Sequence, residues 1–331
     1  MSTGGHDRRA FFRQLLRGAT RAAEEMEALR RATDDAVRRA TSADEAAAPA
    51  WHPVPAEPTT HLATLDELRA LCADAGREAW ADRAASLART GYRLTHGGDG
   101  SSWLGGTPRA ASLEWPVWDG IELAFLGRIA LAGLPRSGLP AGGALLLFFA
   151  VDQAPSGNRP ADSGACRVVH VEEDPVDDEP LYGGMPFAAV TPSAELTLPA
   201  APASFALDAD ELEEWTELRE TLAATQGVEL EERAASYHAL HRLLGHADTY
   251  AEGMELDAEL VMRGVDLDDE PFPDVSPEEE SSAADDWTLL LQISNDDDLA
   301  LDLGDASRLF VWIRRDDLAA GRFDGVHAFV R

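Results

Sequence analysis

Two short apolar runs near the end of the sequence, Trp287 to Ile293 and Leu309 to Ile313, leave the chain little choice. Each is too short for a self-standing helix and is bounded by turn formers, with Asn295-Asp296-Asp297-Asp298 and Gly304-Asp305 between them. Such runs read as a pair of buried strands. A third run, Ala144 to Val151, is nearly all apolar, which requires burial on both faces. Further strands are expected over Leu123 to Leu131, Cys166 to Glu172 and Phe187 to Leu198.

Helical signals lie between these runs. Thr64 with Glu67 forms a capping box that opens a helix ending near Gly76, and a shorter helix spans Glu78 to Ala88. From Asp208, a stripe of Leu212, Trp215, Leu218 and Leu222 predicts a helix to Gly227. A second is expected over Glu229 to Leu244. Residues 264 to 286 are dominated by Asp, Glu, Pro and Ser and read as an exposed, mobile loop. At the start, Phe12, Leu15, Leu16, Ala19, Met26 and Leu29 share one helical face, while charged residues interrupt every window that an export signal would need. The organisation expected is an amphipathic helical arm over 1–50, a linker and helices over 51–91, and an α+β domain over 92–331. The fold class is α+β: a mainly antiparallel β core in two related halves, 92–205 and 206–331, with connecting helices.

The relation between the halves comes from a weak repeat. Leu123-Ala124-Phe125-Leu126-Gly127-Arg128-Ile129 can be laid over Trp287-Thr288-Leu289-Leu290-Leu291-Gln292-Ile293, and 19 residues beyond each Ile stands an aromatic, Phe148 or Trp312. Equal spacing suggests duplication.

The net charge of −32 belongs almost wholly to the second half: residues 170–331 hold 9 arginines against 40 acids, and 1–169 hold 19 against 20. A field of this sign repels phosphate backbones and attracts basic surfaces, so nucleic acid is excluded and a basic protein partner is favoured. No segment is long and apolar enough to span a bilayer. Two cysteines, Cys72 and Cys166, make neither a disulfide framework nor a zinc motif and fit a cytoplasmic location.

Several motifs together resemble the YwqG-like bacterial family: Gly105-Gly106-Thr107-Pro108, Glu114-Trp115-Pro116, Trp118-Asp119-Gly120, Leu243-Leu244-Gly245-His246, Leu290-Leu291-Gln292-Ile293 and Arg314-Arg315-Asp316-Asp317-Leu318. The resemblance covers 90–331. It implies a cytoplasmic α+β protein without an established activity and, for some members, a protective role beside bacterial toxins.

No catalytic signature is present, and no motif requires a cofactor. His238, His241 and His246 could meet near a helix end, but their spacing matches no zinc motif. The acids from Asp296 to Asp305 lack the alternation of a calcium loop. The function read from the sequence is a non-enzymatic acidic interaction module. The alternative is an enzyme or small-molecule binder with a cleft between the halves, lined by Trp115, Trp118, Gln292 and Asp305. Because the apolar face of the arm is mostly alanine, deleting residues 1–50 is expected to leave a cooperatively melting domain. Calorimetry of the truncated chain checks this, and aggregation or loss of the cooperative transition would move the domain boundary.

Overall fold

The computed structural model describes residues 61–331 except 111–112, 136–137, 173–174, 176–183, 201–206, 227–239, 250–252, 270 and 305–307. The expected arm over 1–50, most of the helix expected from Glu229, and Asp305 lie outside the described residues.

Among the described residues ten strands form one sheet in which every pairing is antiparallel. They are β1 (Arg89–His96), β2 (Ser102–Leu104), β5 (Ala124–Ala130), β6 (Ala144–Phe149), β7 (Cys166–Val171), β8 (Ala188–Thr197), β9 (His241–Leu244), β10 (Trp287–Ser294), β11 (Arg308–Arg314) and β12 (His327–Val330). The short strands β3 (Val117–Trp118) and β4 (Ile121–Glu122) make a separate hairpin. The spatial order is β7-β6-β5-β2-β8-β1-β9-β10-β11-β12. Both β6 and β10 are buried along their whole length.

The repeat read in the sequence is present in the sheet, down to its irregularities. Phe125 pairs with Phe148 and Gly127 with Leu147, so that one residue is skipped at Leu126. In the same way Leu289 pairs with Trp312 and Leu291 with Val311, skipping Leu290. The bulge has a packing consequence. Before it, Trp287 and Leu289 join one apolar cluster with Met254 and Ala258; after it, Leu291 and Ile293 join the main core. β2 and β9 also correspond, since Leu104 pairs with Gly127 and Leu243 with Leu291. Leu104 and Leu243 are each followed by two left-handed residues, Gly105 and Gly106 in one half, Leu244 and Gly245 in the other. At the centre Thr95 pairs with Thr191, which places a local two-fold axis between β1 and β8. β1, early in the sequence, thus lies beside the late strand β9 as the counterpart of β8.

Helices cover the ends. α1 (Leu65–Asp74) carries the expected capping box, and α2 (Ala81–Leu87) follows a turn of 3-10 helix. With α3 (Ala209–Thr225) they bury Leu68, Trp80, Trp215 and Leu218 against Leu196 of β8 and Leu198 just beyond it. α4 (Met254–Met262) and α5 (Pro277–Asp286) pack through Leu256, Leu260 and Ala283; α6 (Arg315–Ala319) follows β11.

Two expectations are corrected. The span 264–286 is not a loop throughout: Ser276 and Glu279 cap α5, and Val265, Leu267, Phe272 and Val275 supply the apolar anchors that its acidic composition hides. The helix expected to Leu244 is replaced at His241–Leu244 by β9, held on both sides by β1 and β10, so sheet pairing overrides the local helical period.

The outer strand β12 is not left open. Val330 N–H donates to Ser156 O at 3.2 Å, and Arg331 reaches Ser156 O and Asn158 Oδ1. Gly157 makes the approach possible: its φ is +83°, and a Cβ there would lie 2.0 Å from Ala328 O. Gly157→Ala is therefore expected to cost at least about 2 kcal/mol through left-handed strain and a backbone clash. A lowered urea midpoint with unchanged slope would report it, and an unchanged midpoint would show that the loop gives way freely.

Candidate functional site

β9 is four residues long, yet both chemically distinctive clusters of the described molecule meet on it. Side chains alternate along a strand, so the neighbours His241 and Arg242 point to opposite faces.

On one face Arg242 is buried among charges. Its Nε donates to Glu195 Oε1 at 2.5 Å, and its Nη1 reaches His246 O at 3.2 Å and pairs with Asp248. Arg93 pairs with Glu195 Oε2 at 2.6 Å. Gln292 completes the group: its Oε1 accepts from Asp248 N–H at 3.0 Å, and its Nε2 donates to Leu240 O and Asp248 Oδ2. Burial alone would raise the Glu195 carboxyl, but Arg242, His61 and Arg93 outweigh it and hold the group at about 2. Two guanidiniums stand against two carboxylates, and the arrangement is structural. The corresponding contact in the other half is Trp103 Nε1 to Thr107 O at 2.9 Å.

On the other face His241, fully buried, meets Asp296 and His96. His241 Nε2 lies 2.8 Å from Asp296 Oδ2, and His96 Nε2 lies 2.8 Å from the same oxygen. His96 Nδ1 is 3.3 Å from Asp298, and the two imidazoles are stacked with centroids 6.0 Å apart. Asp296 Oδ1 accepts Asp298 N–H at 2.9 Å, which orients the carboxylate. Asp296 is buried, whereas the His96 side chain is about one-third exposed, at 32%.

Two imidazole nitrogens and a carboxylate oxygen within 4.8 Å of one another are the donor types that a divalent metal takes. The second nitrogen of His241 decides against this reading. Ser294 N–H donates to His241 Nδ1 at 3.3 Å, so the proton of the neutral ring must sit on Nε2. Ligation through Nε2 would then leave an imidazolate, whereas a metal-bound histidine ordinarily donates from its other nitrogen. The geometry fits protons instead: neutral His241 and cationic His96 both donate to ionised Asp296. Burial lowers the His241 pKa despite Asp296. The hydrogen bond to Asp296 raises that of His96 despite its partial burial. Asp296 is held far below the carboxylate range, the bonds from His241 and His96 outweighing burial.

The residues singled out in the sequence are dispersed. Trp115 packs edge-on against Phe148, centroids 5.4 Å apart, and donates to Leu123 O at 2.9 Å. Trp118 is half-buried and donates to Ala161 O. Gln292 is committed to Asp248 and Leu240, and Asp305 is outside the described residues. Of the three histidines expected to cluster, His241 faces Asp296, while His246 Nε2 contacts Leu87 O at 2.9 Å; His238 is outside the described residues. His96, which completes the site, carried no sequence signal beyond standing before Gly97 and Gly98.

Residues 102–330 match the model of a family described as "Domain of unknown function (DUF1963)". No curated protein matches the chain.

Replacing Glu195 by Gln would leave Arg93 and Arg242 buried against a neutral amide, with an expected loss of about 3–5 kcal/mol in unfolding free energy. Because the Glu195 pKa is depressed, the native stabilisation is present above the ordinary carboxylate value and is lost as pH falls toward about 2. Wild-type and variant urea curves should therefore converge on acidification; a constant gap would show that charge is not the cause.

Proposed function

Taking as premise that the chain belongs to the DUF1963 family, whose description names no activity, we propose that it acts as a protein-interaction module whose acidic face receives a basic partner. The observation that carries this reading is the surface formed around α5. Asp268, Asp269, Asp274, Glu278, Glu279, Asp285 and Asp286 are exposed along a segment anchored to the core by Val265, Leu267, Phe272 and Val275. Acids at fixed positions on a folded surface present a directional field, which raises encounter rates with a basic protein. In the finer YwqG-like reading, supported by the motifs above, the module is cytoplasmic and its partner is a basic toxin that it neutralises. The ligand-binding alternative draws less support, because the amide of Gln292 is already consumed by Asp248 and Leu240.

The triple reversal Glu278→Arg, Asp285→Arg and Asp286→Arg is expected to abolish capture of a basic protein that wild-type chain retains at low salt and releases at high salt. All three positions are exposed, so the circular dichroism spectrum should be unaltered. Undiminished, salt-sensitive capture by the variant would remove this face from consideration.

A further inference from the structure

The two-fold relation between the halves separates what the fold needs at His241 from what it does not. At the corresponding place in the first half, Ser102 Oγ accepts Ala130 N–H at 2.9 Å, the same strand-to-strand contact that His241 Nδ1 makes with Ser294 N–H. By the register of the sheet, the counterparts of His96 and Asp296 are Pro192 and Ala132. A serine, a proline and an alanine therefore satisfy the architecture. The second half instead buries a carboxylate between two imidazoles, so the linked titratable groups are surplus to the sheet.

These groups join two segments distant in sequence. His96 ends β1, and Asp296 opens the loop after β10, where Asp296 and Leu301 exchange backbone hydrogen bonds at 3.0 Å. Ser294 and Asn295 bind the loop from behind through His241, Leu240, Leu303 and Gly304. The front is held by His96, which spans Asp296 and Asp298 and can donate to both only as an imidazolium. We propose that His96 is a proton-operated clamp on the loop Asn295–Gly304: closed when the imidazole is charged, released when it is neutral.

Among the described residues, the charged and titratable groups facing His96 are Asp296 and Asp298 from the loop and His241 from β9, and they act consistently. Asp296 and Asp298 favour the cation. His241, which would oppose it if charged, is kept neutral by burial. The sign follows from linkage. A histidine raised above its ordinary value of about 6.5 contributes its full stabilisation below that value and loses it as pH rises through the raised one. At the acid end the clamp persists until Asp296, lowered well below the carboxylate range, takes up a proton. The loop is thus tightest in mildly acidic solution and loosens toward alkaline pH. This inference does not depend on the acidic face described above.

The test uses the full chain. The His96 imidazole is followed by NMR, and the amides of Leu299, Ala300 and Leu301 by hydrogen exchange corrected for intrinsic rate, from pH 5.5 to 8.5. Loop protection should fall by about tenfold for each pH unit by which the measured His96 pKa exceeds about 6.5. His96→Gln keeps a donor but cannot gain charge, and should make protection independent of pH. Asp298→Asn, at an exposed position that threatens no core contact, should lower the His96 pKa and shrink the pH dependence. Titration of His96 at or below its ordinary value, or an unchanged pH dependence in both variants, would overturn the proposal. So would stoichiometric uptake of zinc, added alone, that abolishes the titration of both His96 and His241, because the cluster would then be a metal site.

Discussion

Burying a guanidinium is tolerable only if every charge brought in with it is matched, and the centre of this sheet is arranged around that requirement. Arg242 sits on a four-residue strand with neighbours on both sides, so it has no route to water. Glu195 from β8 and Asp248 after β9 neutralise it, while Gln292 from β10 fixes the Asp248 carboxylate. Three separate regions of the chain are thereby tied to one position on β9. An apolar residue there would pack as well or better, but would not specify which strands flank it. Arg242 and His241 are neighbours on β9, so the register that seats Arg242 among these charges also places His241 against Asp296.

The near-symmetry of the two halves allows an internal comparison that a single structure seldom gives. Equivalent bulges, equivalent left-handed turns and equivalent side-chain-to-backbone bonds show which features the architecture repeats. What differs between halves is correspondingly informative: Trp103 where the other half has Arg242, Arg128 where it has Gln292, Ser102 where it has His241. In the first half Arg128 lies over the Trp103 ring at 5.5 Å, so a cation and its neutral neighbour have exchanged strands. The helices depart from the relation altogether.

Much of this was legible in the sequence because burial writes itself as composition. The runs around Leu147, Leu290 and Val311 read as buried strands, and the capping box at Thr64 marks a helix start through its own local hydrogen bonds. The repeat was visible because a bulge and a fixed spacing survive where residue identity does not. β1 and β9 were not legible. Arg89–His96 mixes two arginines and three further polar side chains with one glycine, and His241–Leu244 is too short to show a period. Their strand character comes from neighbours that no local window contains. The His96 and Asp296 pair was hidden for the same reason: a contact between residues this far apart leaves no mark until the register of intervening strands is known. Gln292, named from sequence as a lining of a ligand cleft, is buried with its amide bonded to Asp248 and Leu240.

The position of β1 has a consequence for synthesis. Its two partners, β8 and β9, are made long after it, and the β5-β6-β7 hairpins can form in the interval without it. Throughout that time β1 is an orphan strand, able to pair with any exposed edge nearby, including one on another nascent chain. Its sequence reads as an answer to that exposure: Arg89, Arg93, Thr90 and Thr95 make it a poor template for apolar association, while Tyr92 and Leu94 remain to be buried once β8 and β9 arrive. The arginine that later pairs with Glu195 thus guards the strand before the sheet exists.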